Sequence, residues 1–266
     1  MRIVYDRFPE GTYKALTLSY DDGTIDDRRM IKILNNHGIR GTFHLNSGRL
    51  GKPGMVDESE MKSLYEGHEI SAHTVTHPHL PYIPKEARVH EIVEDRKALE
   101  ALVGYPVKGM SYPYGTVTDE IAGLLPALGI AYCRTTESHY KFDLPSNFCK
   151  WGATCHHREQ LMERARTFIE LPHKGKPHLF YVWGHSFEFE RNNNWELLEQ
   201  FCELMGGREE IWYATNKEIV DYMKALERLE LSVDGSLIYN PSSMSVWISV
   251  DGNSTEVSAG QLLNIR

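Results

Sequence analysis

Three short segments of the chain carry side chains that can bind a metal ion or move a proton. They are Ser19-Tyr20-Asp21-Asp22-Gly23, His73-Thr74-Val75-Thr76-His77 and Gly184-His185. Two histidines four residues apart can face one way on a helical turn and bind one cation. A carboxylate from elsewhere completes a His, His, Asp set that leaves positions open for water. The pattern therefore predicts a metal site at which hydrolysis could occur.

Each of these segments follows a stretch whose apolar pattern is typical of a β-strand. Strand-like and helix-like stretches alternate through most of the chain, which predicts parallel strands joined by helices and places the three segments at the carboxyl ends of strands. The predicted strands are 15–20, 40–45, 68–72, 107–111, 129–134, 177–184 and 211–214. The predicted helices are 26–37, 57–66, 84–103, 118–128, 158–171, 194–205 and one that begins after Thr215 and ends near Leu229.

The last part of the chain has a different pattern. Residues 230–266 contain short alternating runs separated by Asp-Gly and Asn-Pro pairs, which is typical of a small antiparallel β unit. We therefore predict a barrel over residues 1–229 and a β appendage over 230–266. The appendage is expected to pack on the barrel or to serve a subunit contact, with sugar binding as the alternative.

Composition narrows the class of partner and compartment. The formal net charge is -8, from 37 acidic and 29 Lys and Arg residues, so nucleic acid and anionic membranes are disfavoured as partners. The sequence has no signal-like apolar segment and no run long enough to span a membrane, which favours a cytoplasmic protein. Its four cysteines have no CxxC spacing and are expected to be free core residues.

The three segments resemble motifs of the polysaccharide deacetylase family, also known as the NodB homology domain or carbohydrate esterase family four. Residues 19–23 are similar to its T-F-D-D-G motif, and residues 73–77, followed by Pro-His-Leu, to its H-[ST]-x-x-H motif. Residues 111–115 partly match its R-x-P-Y turn, and residues 179–185 its last strand ending in histidine. The resemblance extends over most of residues 1–229. It implies an α/β fold, a distorted (β/α) barrel of about seven parallel strands.

The resemblance also implies roles for individual residues. Asp22, His73 and His77 would be the metal ligands. Zinc suits this set best, with Co²⁺, Ni²⁺, Fe²⁺ and Mn²⁺ also acceptable. Asp21 would be the general base and His185 the general acid that protonates the leaving group.

The third motif departs from the family pattern. The backbone N–H of Tyr114 would bind the oxyanion, as the family turn implies. Ser111, however, stands where the family has an arginine that pairs with the base aspartate. Arg134, at the end of a predicted strand, is our candidate for its replacement, with a surface salt bridge as the alternative.

The fourth motif is unusual as well. We predict that Trp151 forms an apolar wall for the acetyl methyl group and that Glu188 replaces the aspartate that orients the acid histidine. His156 and His157 are adjacent, and neighbouring side chains on a strand point to opposite faces, so we expect no second metal site from them.

These residues predict a metal-dependent hydrolase that removes acetyl groups from an N-acetylated or O-acetylated saccharide. Because the third and fourth motifs deviate, a related C–N hydrolase that acts on a cyclic or linear amide remains an alternative. An inactive carbohydrate-binding homologue is a further alternative. Whether the protein forms a homo-oligomer is left open.

Overall fold

A computed structural model describes residues 2–266. Its strands are β1 (Ile3–Val4), β2 (Lys14–Asp22), β3 (Gly41–Leu45), β4 (Glu69–Ala72), β5 (Gly109–Ser111), β6 (Tyr132–Ser138), β7 (Trp151–Ala153), β8 (Cys155–His156), β9 (His178–His185), β10 (Ile211–Tyr213), β11 (Glu230–Leu231), β12 (Leu237–Tyr239), β13 (Val246–Val250), β14 (Asn253–Val257) and β15 (Leu262–Asn264). Its α-helices are α1 (Asp27–Asn36), α2 (Met61–Leu64), α3 (Lys85–Val103), α4 (Asp119–Leu124), α5 (Leu161–Glu170), α6 (Phe187–Arg191), α7 (Trp195–Met205) and α8 (Asn216–Glu227). Every strand and helix predicted before residue 230 is present.

The main sheet closes into a barrel of parallel strands. Its order is β7-β6-β5-β4-β3-β2-β9-β8, and β10 pairs with the start of β2. Only Thr154 separates β7 from β8, and its N–H donates to the carbonyl of Tyr181 in β9 at 2.8 Å. The two ends of the sheet therefore meet in one segment, residues 151–156, which acts as the seventh strand. The predicted distorted barrel is confirmed, although this segment was not predicted as a strand.

Successive side chains of β2 point alternately into two packed layers, one on each face of the strand. Leu16, Leu18 and Tyr20 face the helices and belong to the larger apolar cluster, whereas Ala15 faces the barrel interior. The upper interior is polar, and its groups bond to one another because buried polar groups need partners. Thr17 Oγ1, for example, donates to the side chain of Asn216 at 2.9 Å.

The C-terminal residues form two small antiparallel sheets, with orders β1-β13-β14 and β11-β12-β15. Because β1 comes from the start of the chain, strand pairing crosses the predicted boundary at 229/230; that boundary remains a prediction. Ile238, Val246 and Ile248 share an apolar cluster with Phe8 and with Tyr222 of α8, so the unit packs against the barrel.

Helix α8 begins with a capping box, in which the Thr215 hydroxyl accepts from Glu218 N–H and the Glu218 carboxylate accepts from Thr215 N–H. Within residues 2–266 the four cysteines are buried and free. No helix in this part of the chain is long and apolar enough to cross a membrane.

Candidate active site

The two histidines of the second motif lie in a loop after β4. Thr74 and His77 have left-handed φ values of 69° and 64°, so the helical turn expected from their spacing is wrong. The side chains of α3 hold this loop instead. Asp95 accepts from the His73 N–H at 2.9 Å, and Glu91 accepts from the Thr76 N–H at 2.8 Å. Strained backbone that persists under such constraint is typical of functional sites.

Asp22, His73 and His77 converge at the carboxyl end of the barrel. Asp22 Oδ1 lies 3.9 Å from His73 Nε2 and 3.8 Å from His77 Nε2, too far for hydrogen bonds. His73 Nδ1 donates to the carbonyl of Ser111 at 2.9 Å, so the lone pair of Nε2 faces the other two groups. Burial lowers the pKa of His73, and lowers that of His77 to about 4, so both rings are neutral near pH 7. These donors fit a divalent cation.

Asp21 is paired with Arg134 inside the barrel. Arg134 is completely buried and donates to Asp21 Oδ2 and, at 3.2 Å, to Ser19 Oγ. Ser111 pairs in register with Arg134 and donates to Asp21 Oδ1 at 3.1 Å. Burial alone would raise the pKa of Asp21, but the guanidinium and His73 hold it well below its usual range. The guanidinium of Arg134 thus reaches the Asp21 carboxylate from β6, at the residue that pairs in register with Ser111.

His185 approaches the same site from β9. It pairs in register with Asp21, and its Nε2 lies 4.0 Å from Asp22 Oδ2. On its other side, Nδ1 lies 3.7 Å from Glu188 Oε1. Burial lowers the pKa of His185, but the surrounding carboxylates, Glu188 first, outweigh it and raise the pKa above its ordinary value. The ring can therefore hold a proton beside the candidate metal ligands.

His156 and His157 both face Glu188, contrary to the expectation that they point apart. Their Nε2 atoms lie 3.0 and 3.1 Å from Glu188 Oε2. Strand β8 ends at His156, so the alternation of side chains does not extend to His157. The missing side chain of Gly184 makes room, because a Cβ there would lie 2.1 Å from His157 Nδ1.

Trp151 does not line the site. It is completely buried and packs edge-on against Tyr181, with ring centroids 4.8 Å apart, because its side chain points into the barrel interior. The prediction of an acetyl-facing wall is therefore corrected. Trp183 lies closer to the site, with its ring centroid 4.5 Å from the Arg134 guanidinium and 6.0 Å from the His185 ring.

Tyr114 lies in a tight 3₁₀ turn, Pro113–Gly115, beside the metal ligands. Its φ of 60° is left-handed, and its ring contacts His77 with centroids 4.5 Å apart. The amide of Tyr114 belongs to the first turn, where N–H groups have no acceptor within the helix. The turn therefore leaves this donor available.

Comparison with known proteins shows which family this barrel and site resemble. Residues 9–133 match the family model described as polysaccharide deacetylase, a stretch that holds the first three motifs. The predicted resemblance to the polysaccharide deacetylase family is confirmed over this part of the chain.

Two kinds of relative illustrate the match. A peptidoglycan-N-acetylglucosamine deacetylase of Listeria monocytogenes is 30% identical over 114 residues, covering 42% of this chain and 24% of its own length. The chain thus spans about a quarter of that relative. A structure from Mycobacterium smegmatis, assigned as a polysaccharide deacetylase, is 16% identical with a TM-score of 0.64, covering 85% of this chain and 96% of its own.

A family four pseudoenzyme from Bacillus anthracis shares the same fold. It is 15% identical with a TM-score of 0.52, covering 80% of this chain and 66% of its own. Active and inactive members therefore share this architecture, and only the residues of the site can argue for activity.

Proposed function

We propose that this protein is a metal-dependent deacetylase of acetylated saccharides. The observation that carries the proposal is the convergence of Asp22, His73 and His77 beside a buried Asp21–Arg134 pair and a protonatable His185. Relatives named as peptidoglycan and chitin deacetylases support the substrate class.

Zinc is the cation we propose for the three ligands. Their neutral imidazoles and carboxylate suit it, and Co²⁺, Ni²⁺, Fe²⁺ and Mn²⁺ would accept the same donors. When bound, such a cation polarises the acetyl carbonyl and lowers the pKa of a water molecule.

Asp21 takes the proton from the attacking water. Arg134 and Ser111 fix the direction of its carboxylate, which compensates for the absent family arginine. The same ion pair lowers the basicity of Asp21, so its advantage as a base comes from position rather than from a high pKa.

The leaving group is an amine or alcohol that departs only when protonated. His185 carries that proton, because Glu188, Asp21 and Asp22 favour its charged form. Tyr114 donates its backbone N–H to the carbonyl oxygen as negative charge develops there.

A C–N hydrolase that acts on cyclic amides would use the same groups and stays the second candidate. The observation that favours it is Ser111, which departs from the family arginine. The inactive alternative is less favoured, because the sequence keeps every residue that we propose as ligand, base or acid.

The test is a screen of the metal-loaded protein against acetylated saccharides and cyclic amides. Acetate release from a saccharide supports the proposal, and ring opening without acetate supports the alternative. His77→Ala is the matched control, because it removes a ligand and should abolish either activity. No product from any substrate with fully loaded protein would contradict both enzymatic functions.

A further inference from the structure

A row of aromatic rings leads away from the candidate metal site to the surface. It consists of His77, Tyr114, His79 and Tyr82, which we name the aromatic ridge. Neighbouring ring centroids are 4.5, 3.7 and 5.6 Å apart along this order. The first member is a proposed metal ligand, so the ridge is continuous with the place where an acetyl group would react.

The outer rings of the ridge are unusually exposed. Tyr82 is 80% exposed and Tyr114 is 55% exposed, the two largest values among the tyrosines. His79 stacks on one face of Tyr114, with an interplanar angle of 13°. The Tyr82 ring is therefore the most accessible apolar plane of the ridge.

The loop that carries Tyr82 is held firmly despite its exposure. Leu80 is completely buried, and the Tyr82 N–H donates to the His79 carbonyl at 3.0 Å. Arg88 of α3 donates to the carbonyls of Pro81 and Ile83, each at 3.1 Å. A ring presented by such a loop loses little conformational entropy when a ligand covers it.

We infer that the aromatic ridge binds a hexose ring of a glycan next to the acetylated residue that reaches the metal site. Aromatic faces carry partial negative charge, and the C–H face of a pyranose offers apolar, weakly positive hydrogens to them. The inference rests on the proposed function and narrows it. The substrate is an oligomeric or polymeric saccharide, because a small cyclic amide at the metal site would not reach Tyr82.

Binding of a β-1,4-linked glucosamine tetramer to the metal-loaded protein, measured by titration calorimetry, tests the inference. This probe has no acetyl group and is not turned over. The wild type should bind the tetramer more tightly than the monomer, and Tyr82→Ala should weaken tetramer binding about 3- to 10-fold. Tyr82→Phe should retain it, because the ring provides the contact.

Tyr239→Ala is the matched control, since Tyr239 is also exposed but lies in the C-terminal β unit. The inference is overturned if the tetramer binds no better than the monomer, if Tyr82→Ala binds like the wild type, or if Tyr82→Phe loses as much as Tyr82→Ala. Hydrolysis of a small acetate ester, measured in parallel, reports the deacetylase chemistry separately. Loss of that activity with intact tetramer binding would contradict only the proposed function.

Discussion

Two clusters of two histidines and a carboxylate lie within the barrel mouth, and they differ in chemistry. In the cluster of Asp22, His73 and His77 the donor atoms are 3.8–3.9 Å apart. In the cluster of Glu188, His156 and His157 the nitrogens lie 3.0–3.1 Å from one oxygen. The first spacing leaves room for a cation between the groups, whereas in the second cluster the ring nitrogens lie in close contact with the carboxylate.

One histidine of each cluster, His73 and His156, differs in which ring nitrogen carries the proton. His73 Nδ1 faces the Ser111 carbonyl, so Nδ1 carries the proton and Nε2 can bind a metal. His156 Nδ1 accepts from the Arg158 N–H at 3.2 Å, so in the neutral ring Nε2 carries the proton and lies 3.0 Å from Glu188 Oε2. Convergence of suitable residue types is therefore not enough to predict a metal site.

The largest expected effect separates the two clusters by metal content. His77→Ala should lose bound metal and nearly all activity, because two remaining protein donors hold a catalytic ion poorly. His157→Ala should keep one equivalent of metal per chain, measured by elemental analysis after dialysis. Two equivalents in the wild type, or the loss of one in His157→Ala, would show that the second cluster also binds a metal.

Asp21 and Asp22 test the division of labour within the first cluster. Asp21→Asn should retain the metal and lower kcat about 100- to 10,000-fold, since an amide cannot take a proton from water. Asp22→Asn should weaken the metal affinity itself. Equal loss of metal in both variants would reject separate roles for these neighbours.

Much of the site could be predicted because its groups follow buried strands, whose apolar patterns are readable and whose carboxyl ends meet on one face of a barrel. Asp21, His185 and Arg134 are brought together in this way, through the register of β2, β9, β5 and β6.

Prediction from the sequence failed for short segments whose exact ends decide the directions of their side chains. Residues 151–156 form two brief strands with a glycine and no clear alternation, so neither the strand nor the inward direction of Trp151 was predictable. The approach of His157 to Glu188 depends on where β8 ends and on the space left by Gly184, which belongs to another strand.

Each cluster has an arginine beside its carboxylates, and the two arginines differ in burial. Arg134, beside Asp21, is completely buried, whereas Arg191, beside Glu188, is 56% exposed. Breaking the Arg134–Asp21 pair should destabilise the fold by about 3–5 kcal/mol, because Asp21 is left charged and buried. Arg134→Met should also raise the pKa of Asp21, so that the base is protonated at higher pH and the acidic limb of kcat/KM moves upward. Asp21→Asn combined with Arg134→Met should recover stability, as seen by thermal unfolding. An unchanged acidic limb with normal turnover would reject compensation by Arg134.

Glu188 should give the smallest effect on catalysis, because it acts only through His185. Glu188→Gln removes the first of the carboxylates that raise the pKa of His185, so this pKa falls and the acid loses its proton at lower pH. The basic limb of the rate profile should therefore move to lower pH, opposite in direction to the effect of Arg134→Met. We expect about a 10- to 100-fold loss of activity and unchanged metal content.

Arg191→Met is the control. Its guanidinium is 3.4 Å from Glu188 but its side chain is 56% exposed, so its loss should matter little. If Glu188→Gln lowers activity without moving the basic limb, Glu188 merely packs behind His185 and the second cluster has no part in proton transfer.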